Sequence, residues 1–178
     1  MKKILFLIMG VGVLFTSCKK DEVGNTATVK VAGEWSVTAD AANADGSVIE
    51  DGEDFFGIGN FNIITYNTEN NVPTEMWVDD EGNFWGFKAI ADLNYDAATF
   101  STKDFVDNYG ADADETPGAK VKIINGKILY GAAKTPSGMP ADSIVFYVSF
   151  DDDPYPAAYG YDCYKISGYR YTGLANDD

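Results

Sequence analysis

Apolar and polar residues alternate with a period of two in short runs along most of this chain. No stretch sustains the 3.6-residue period of an amphipathic helix, so the pattern predicts an all-β protein. In 29–39 the odd positions Val29, Val31, Gly33, Trp35, Val37 and Ala39 are apolar or small, whereas Lys30, Glu34, Ser36 and Thr38 are polar. Trp35 therefore points inward. Further runs cover 60–67, 75–79, 84–93 and 97–101, and Asp80-Glu81-Gly82-Asn83 reads as the hairpin turn between the second and third of these. The row expected to face inward, Trp85, Phe87, Ala89, Ala91 and Leu93, puts large residues next to small ones, which leaves room at one level of a barrel and fills another. In 120–132, Asn125-Gly126 supplies the residues of a type I′ turn and predicts a hairpin with Ile123 opposite Ile128 and Val121 opposite Tyr130. Run 142–150 groups Ile144, Phe146, Val148 and Phe150 on one face, and run 161–172 groups Tyr164, Ile166, Gly168 and Arg170.

Three longer segments, 40–59, 103–118 and 133–141, separate these runs, and the first two are strongly acidic. Loops of this length usually carry function. The first holds Phe55-Phe56 among Glu53, Asp54 and Gly57, and two readings stay open: a lid over a binding site, or a loop that tucks its own aromatics under itself.

The N-terminus departs from the alternating pattern. Lys2 and Lys3 precede an apolar run, 4–15, that is too short to span a bilayer, which describes a signal peptide. Phe15-Thr16-Ser17-Cys18 resembles the lipobox at which a lipoprotein signal peptidase cuts before a lipid-modified cysteine. The expected organisation is a leader over 1–17, a lipidated flexible tether over 18–28 and one β-barrel domain over 29–178. Lys19-Lys20-Asp21-Glu22 is similar to the basic-then-acidic signal that carries Bacteroidetes lipoproteins to the outer face of the outer membrane. The expected location is thus the outer membrane, with the domain at the cell surface or otherwise facing the periplasm.

Charge narrows the partners. The chain has 28 acidic and 13 basic residues and a formal charge of −15; loss of the leader removes two lysines and no carboxylate, which makes it more acidic still. Such a surface repels phosphate backbones, so no nucleic acid is expected. Lipidation consumes Cys18 and leaves Cys163 alone, so no intramolecular disulfide is expected. The absence of histidine removes Ser–His–Asp and Cys–His machinery and the usual zinc sites. No Gly-x-Ser-x-Gly elbow occurs, and Ser143 lies on the strand face opposite the core row. Asn43-Ala44-Asp45-Gly46 and Asp151-Asp152-Asp153 offer oxygens for Ca²⁺ but do not fit the EF-hand pattern, so neither metal nor cofactor is expected.

Gly33-Glu34-Trp35 on the first run and Arg170 on the last together resemble the signature of the lipocalins and other calycin barrels, in which the arginine lies across the tryptophan at the closed end. The physics is cation–π attraction and a guanidinium able to bond loose carbonyls. More specifically, the stretches 66–68, 76–88, 142–144 and 167–173 resemble the Bacteroidetes family labelled lipid-binding putative hydrolase. That resemblance implies a lipoprotein with an up-and-down antiparallel barrel of about eight strands, and it brings no catalytic residues. With the Asn125-Gly126 hairpin divided in two the runs number nine, whereas such a barrel closes on an even number, which marks 97–101 as a segment outside the wall.

The function these readings favour is binding of a lipid or other apolar small molecule at the barrel mouth, with Phe55, Phe56, Trp85, Phe87 and Leu93 as candidate contacts. Two alternatives stay open. One is a hydrolase of lipid or glycan substrates using chemistry without histidine; the other is a surface interaction subunit that meets a protein or glycan partner and has a solid interior.

Overall fold

A computed structural model describes residues 25–49, 56–174 and 177. Cys18 and Phe55, both singled out above, lie outside the described residues. The strands are β1 (Gly33–Ala42), β2 (Phe61–Tyr66), β3 (Glu75–Asp79), β4 (Lys88–Asn94), β5 (Thr99–Ser101), β6 (Val106–Asp107), β7 (Lys120–Lys134), β8 (Pro140–Phe150) and β9 (Cys163–Arg170). A five-residue helix, α1 (Tyr155–Tyr159), sits between β8 and β9.

All ladders are antiparallel, and β9 pairs with β1 as well as with β8. The seam closes where β5 meets β7, through Thr99 opposite Lys127 and Phe100 opposite Gly126. β6 continues alongside the same edge of β7, with Val106 opposite Val121. Between them the Thr102 N–H donates to Ile123 O at 2.9 Å, and the Thr102 hydroxyl accepts from Ile123 N at 3.0 Å. β5 and β6 thus share one wall position, and the barrel is closed with eight strands.

The even count is reached differently from the expectation. Segment 97–101 does not lie outside the wall: it supplies the closing strand β5. The surplus run came from splitting 120–132, which is one continuous strand. Asn125 takes a positive φ of 53°, but Gly126 does not, and the pair forms a bulge between Ile124 and Lys127 in the ladder to β8. Ile123 faces Val148 and Ile128 faces Ile144, so the two isoleucines are not partners. The physical reason is at Gly126, where a Cβ would stand 2.4 Å from the Phe100 ring. The glycine makes space for a core aromatic at the seam. Segment 133–141 is shortened to a turn over 135–139, its first two and last two residues belonging to β7 and β8.

The inward rows meet in one core. Ile63, Met76, Phe87, Ile123, Phe146 and Ile166 are fully buried, with the alanines Ala39, Ala41, Ala89 and Ala91 among them. Each large side chain so buried stabilises by roughly 1.5–3 kcal/mol. Phe87 and Phe146 rings lie 6.3 Å apart, and Phe100 and Phe146 5.7 Å apart. Large side chains from opposite walls therefore meet inside.

One end of the barrel is sealed. Trp35, fully buried, pairs with Arg170 across the β1–β9 ladder, and the guanidinium carbon lies 4.3 Å from the indole ring centroid. Arg170 Nη1 donates to Ala32 O at 2.5 Å, Nη2 donates to Lys30 O at 3.3 Å, and Nε donates to Asp142 Oδ2 at 3.1 Å. The indole N–H donates to Thr65 Oγ1 at 2.9 Å, and that hydroxyl in turn donates to Val31 O at 2.6 Å. Gly33 has a steric role here: a Cβ on it would fall 2.1 Å from Arg170 Nη1.

Candidate functional site: the aromatic mouth

The opposite end of the barrel gathers four connections, 43–60, 80–87, 108–119 and 151–162, because each joins strands whose ends lie there. Three of them build a cleft of about 470 Å³ lined by Phe56, Ile58, Phe84, Trp85, Tyr155, Tyr159, Tyr161 and Tyr164. That volume is within the range of small-ligand sites.

The 80–87 connection is organised by one buried carboxylate. Asp80 Oδ1 accepts from Gly82 N at 2.9 Å and Phe87 N at 2.8 Å, while Oδ2 accepts from Phe84 N at 3.2 Å, Trp85 N at 2.8 Å and Gly86 N at 2.9 Å. A loop that must turn without strand partners has its N–H groups satisfied by a side chain. Asn108 braces it from the next connection, accepting from Lys88 N and donating to Gly86 O. The expected four-residue hairpin turn is thus a longer, carboxylate-centred loop, and β4 begins at Lys88 rather than at Phe84. This places Phe84 and Trp85 at the mouth instead of on a strand.

Those two rings cap the core. Phe84 stacks on Phe61 at 5.5 Å and 14°, and Trp85 stacks on Phe150 at 5.1 Å and 16°. Tyr164 meets Phe84 edge-on at 5.1 Å, and Phe56 packs against Tyr164 at 5.3 Å and Tyr161 at 6.2 Å.

The rim comes from α1. Pro154 and Pro156 open the helix and Gly160, at φ 79°, ends it after barely more than a turn. Tyr155 and Tyr159, four residues apart, share one face. The helix buries none of its residues, and its two tyrosines are 48% and 68% exposed. Tyr155 meets Trp85 at 90° and 6.2 Å, forming a corner of the cleft.

Asp153 ties this rim to the barrel. Its Oδ2 accepts from the Tyr164 hydroxyl at 2.5 Å, its Oδ1 accepts from Tyr155 N at 2.9 Å, and Tyr161 donates its hydroxyl proton to Tyr164 at 3.0 Å. Burial, reinforced by the Asp153 carboxylate, pushes the Tyr164 phenol far above the ordinary tyrosine value; burial raises Tyr161 as well. Both remain hydroxyls throughout the physiological range.

Of the residues picked from the sequence as ligand contacts, the fold brings Phe56 and Trp85 together in the cleft. Phe87 and Leu93 lie elsewhere: Phe87 is sealed in the core against Phe146 and Phe150, and Leu93 is buried nearer the closed end, opposite Phe100. Tyr155, Tyr159, Tyr161 and Tyr164 were not identified. Their signal was the spacing Tyr155-x-x-x-Tyr159-x-Tyr161 between Pro154 and Tyr164, within a segment too short for helical periodicity to register. The acidic triplet proves structural in part: Asp151 accepts from Lys120 N at 2.7 Å, and Asp153 holds the tyrosines. Asp45 accepts from the N–H and hydroxyl of Ser47, which lower its pKa. No group of three or more Cys, Asp or Glu suited to a metal ion occurs among the described residues.

A second concavity, also of about 470 Å³, lies on the outer wall beside Asn43, Gly46, Lys127, Tyr147, Ser149 and Asp162. Its lining mixes turn backbone, charged and polar side chains with Ile124, Val145 and Cys163, whereas the mouth cleft is lined by seven aromatic residues and Ile58. The mouth is the better apolar site.

A closed antiparallel barrel of eight strands with an open apolar end belongs to the small barrels whose architecture admits a ligand at the mouth. Residues 20–175 match the family described as lipid-binding putative hydrolase, and the chain belongs to that family. No curated protein matches the chain.

Proposed function

We propose that this protein binds a lipid or other apolar small molecule in the aromatic cleft at the barrel mouth, while tethered to a membrane through lipids on Cys18. The carrying observation is the cleft itself: a formed, apolar concavity with Tyr155, Tyr159 and Ile58 left 41–68% exposed beside a barrel whose other end is sealed. Contiguous exposed aromatics cost solubility unless a ligand or partner covers them. Family membership supports a lipid ligand. The packed interior favours a ligand seated at the mouth rather than threaded down the barrel axis.

The leader 4–15 and the Ser17-Cys18 junction support export and lipidation. Among the described residues no helix is long and apolar enough to cross a membrane, and a lipid anchor would supply attachment without one. For hydrolysis, the Ser143 hydroxyl donates to Gly168 O at 2.9 Å and the chain has no histidine to activate it, so binding is the stronger reading.

Native mass spectrometry of protein purified from its own membranes tests the binding: a co-purified mass is expected, lost in Trp85→Ala. A wild-type spectrum showing the bare chain, together with no saturable change in Trp emission on titration with any acyl compound, would end this reading. Cys18→Ala should leave the membrane fraction after a carbonate wash; retention there would refute the anchor.

A further inference from the structure

Every charged residue in the described parts of the connections at the mouth, 43–49, 56–60, 80–87, 108–119 and 151–162, is Asp or Glu. The described cations lie outside these connections, and several are paired. Arg170 and Lys30 are at the sealed end, Lys88 reaches Asp79 at 3.5 Å, Lys120 reaches Asp107 at 3.8 Å, and Lys122 reaches Asp104 at 3.7 Å. Among the described residues, neither Lys nor Arg lines the aromatic cleft. Directly behind its wall stands the Asp153 carboxylate, 2.5 Å from the Tyr164 oxygen.

Given the binding reading above, on which this step rests, we infer that the cleft selects an amphiphile whose polar end is an organic cation, of the alkylammonium type. Two independent features converge on that chemistry. Aromatic faces attract quaternary and alkyl ammonium groups through the ring quadrupole, and Trp85 and Tyr155 meet at 90° so that an ammonium at the corner touches two rings, with Tyr159 beside them. The one-sided carboxylate field at the mouth raises the local concentration of cations and lowers that of carboxylates and phosphates. The apolar tail would lie on Phe84, Phe56 and Ile58. An anionic head group would meet tyrosine hydroxyls in that field but no basic side chain among the lining residues.

Decyltrimethylammonium, decanoate and decyl maltoside share one tail and differ in head-group charge. Detergent-free protein is titrated with each below its micelle concentration, following Trp emission, at low and high salt. The trimethylammonium compound should bind about tenfold or more tighter than decanoate, and the gap should narrow as salt screens the field. Tyr155→Ala combined with Tyr159→Ala, both on exposed helix positions, should remove most of the cation's advantage. If decanoate or decyl maltoside binds as tightly as the cation, the head-group assignment is wrong and the apolar cleft still stands. If the double variant keeps the full affinity for the cation, the binding is a general property of an acidic surface and the assignment is equally wrong. If none of the three binds saturably, the cleft itself falls and the assignment with it.

Discussion

The two ends of this barrel use aromatic residues in opposite ways. At the sealed end Trp35 is fully buried, its N–H is bonded to Thr65, and Arg170 covers its face while donating to the carbonyls of Ala32 and Lys30. At the mouth, Trp85 is only partly buried and the tyrosines of α1 keep large parts of their surface in water, held by a loop carboxylate and one short helix. Packing at the first end is spent on stability. Apolar area left uncovered at the second is available to a ligand, since burying it on binding contributes the same roughly 25 cal/mol per Å² that folding did not use.

Substitutions at the two ends should therefore separate stability from binding. The largest expected effect is Trp35→Ala, which opens a cavity in the sealed end and leaves Thr65 without its donor, a loss of about 3–5 kcal/mol. Chemical denaturation measures it, and a loss under about 1 kcal/mol would erase the contrast. Asp80→Ala removes the acceptor of five backbone N–H groups and should cost about 2–4 kcal/mol. Because the loop it shapes carries Phe84 and Trp85, this variant should also shift Trp emission to longer wavelength in the folded state, which Trp35→Ala should not do through the mouth.

Gly33→Ala sharpens the account of the sealed end. The new Cβ would displace Arg170, so Gly33→Ala and Arg170→Ala should each cost about 1–3 kcal/mol, yet the double variant should cost little more than Arg170→Ala alone. Additive costs in that cycle would mean the glycine serves something other than the guanidinium. At the other end, Tyr155→Ala and Tyr159→Ala should change stability by less than about 0.5 kcal/mol, as exposed positions do, while weakening ligand binding.

Cys163 gives the smallest effect. Burial pushes its thiol up to about 11, from an ordinary value of 9.0. A raised value means the folded state holds the proton more tightly, so this contribution to stability is complete below pH 9 and is lost as pH rises through about 11. At pH 8 the folded protein should react with a thiol reagent far more slowly than the unfolded chain. Equal rates would show that the start of β9 opens readily.

What could be read from the chain itself was periodic or local. Alternation placed Ile144, Phe146 and Val148 on one row and Trp35 and Arg170 on inward faces, because side-chain direction in a strand repeats every two residues whatever the strand pairs with. Asn125-Gly126 was legible as a site of unusual backbone, but not as which one: a positive φ at Asn125 serves a turn or a bulge, and the Phe100 ring, contributed from another strand, decides for the bulge. Closure by β5 and β6 was equally hidden: run 97–101 was legible as a β run but its place in the wall was not, and the two-residue β6 carries too few alternations to be recognised; both are in the wall because β7 supplies their partners. The cleft belongs wholly to tertiary structure. Phe56, Trp85 and Tyr155 come from distant connections and Tyr164 from the start of β9, and they meet because successive antiparallel strands bring alternate loops to one end of a closed wall. The sequence by itself determined the alternating rows and the acidic character of segments 40–59 and 103–118; only the closed barrel decided which connections share an end, which rings face one another across a gap and which, like Phe87, are sealed beneath it.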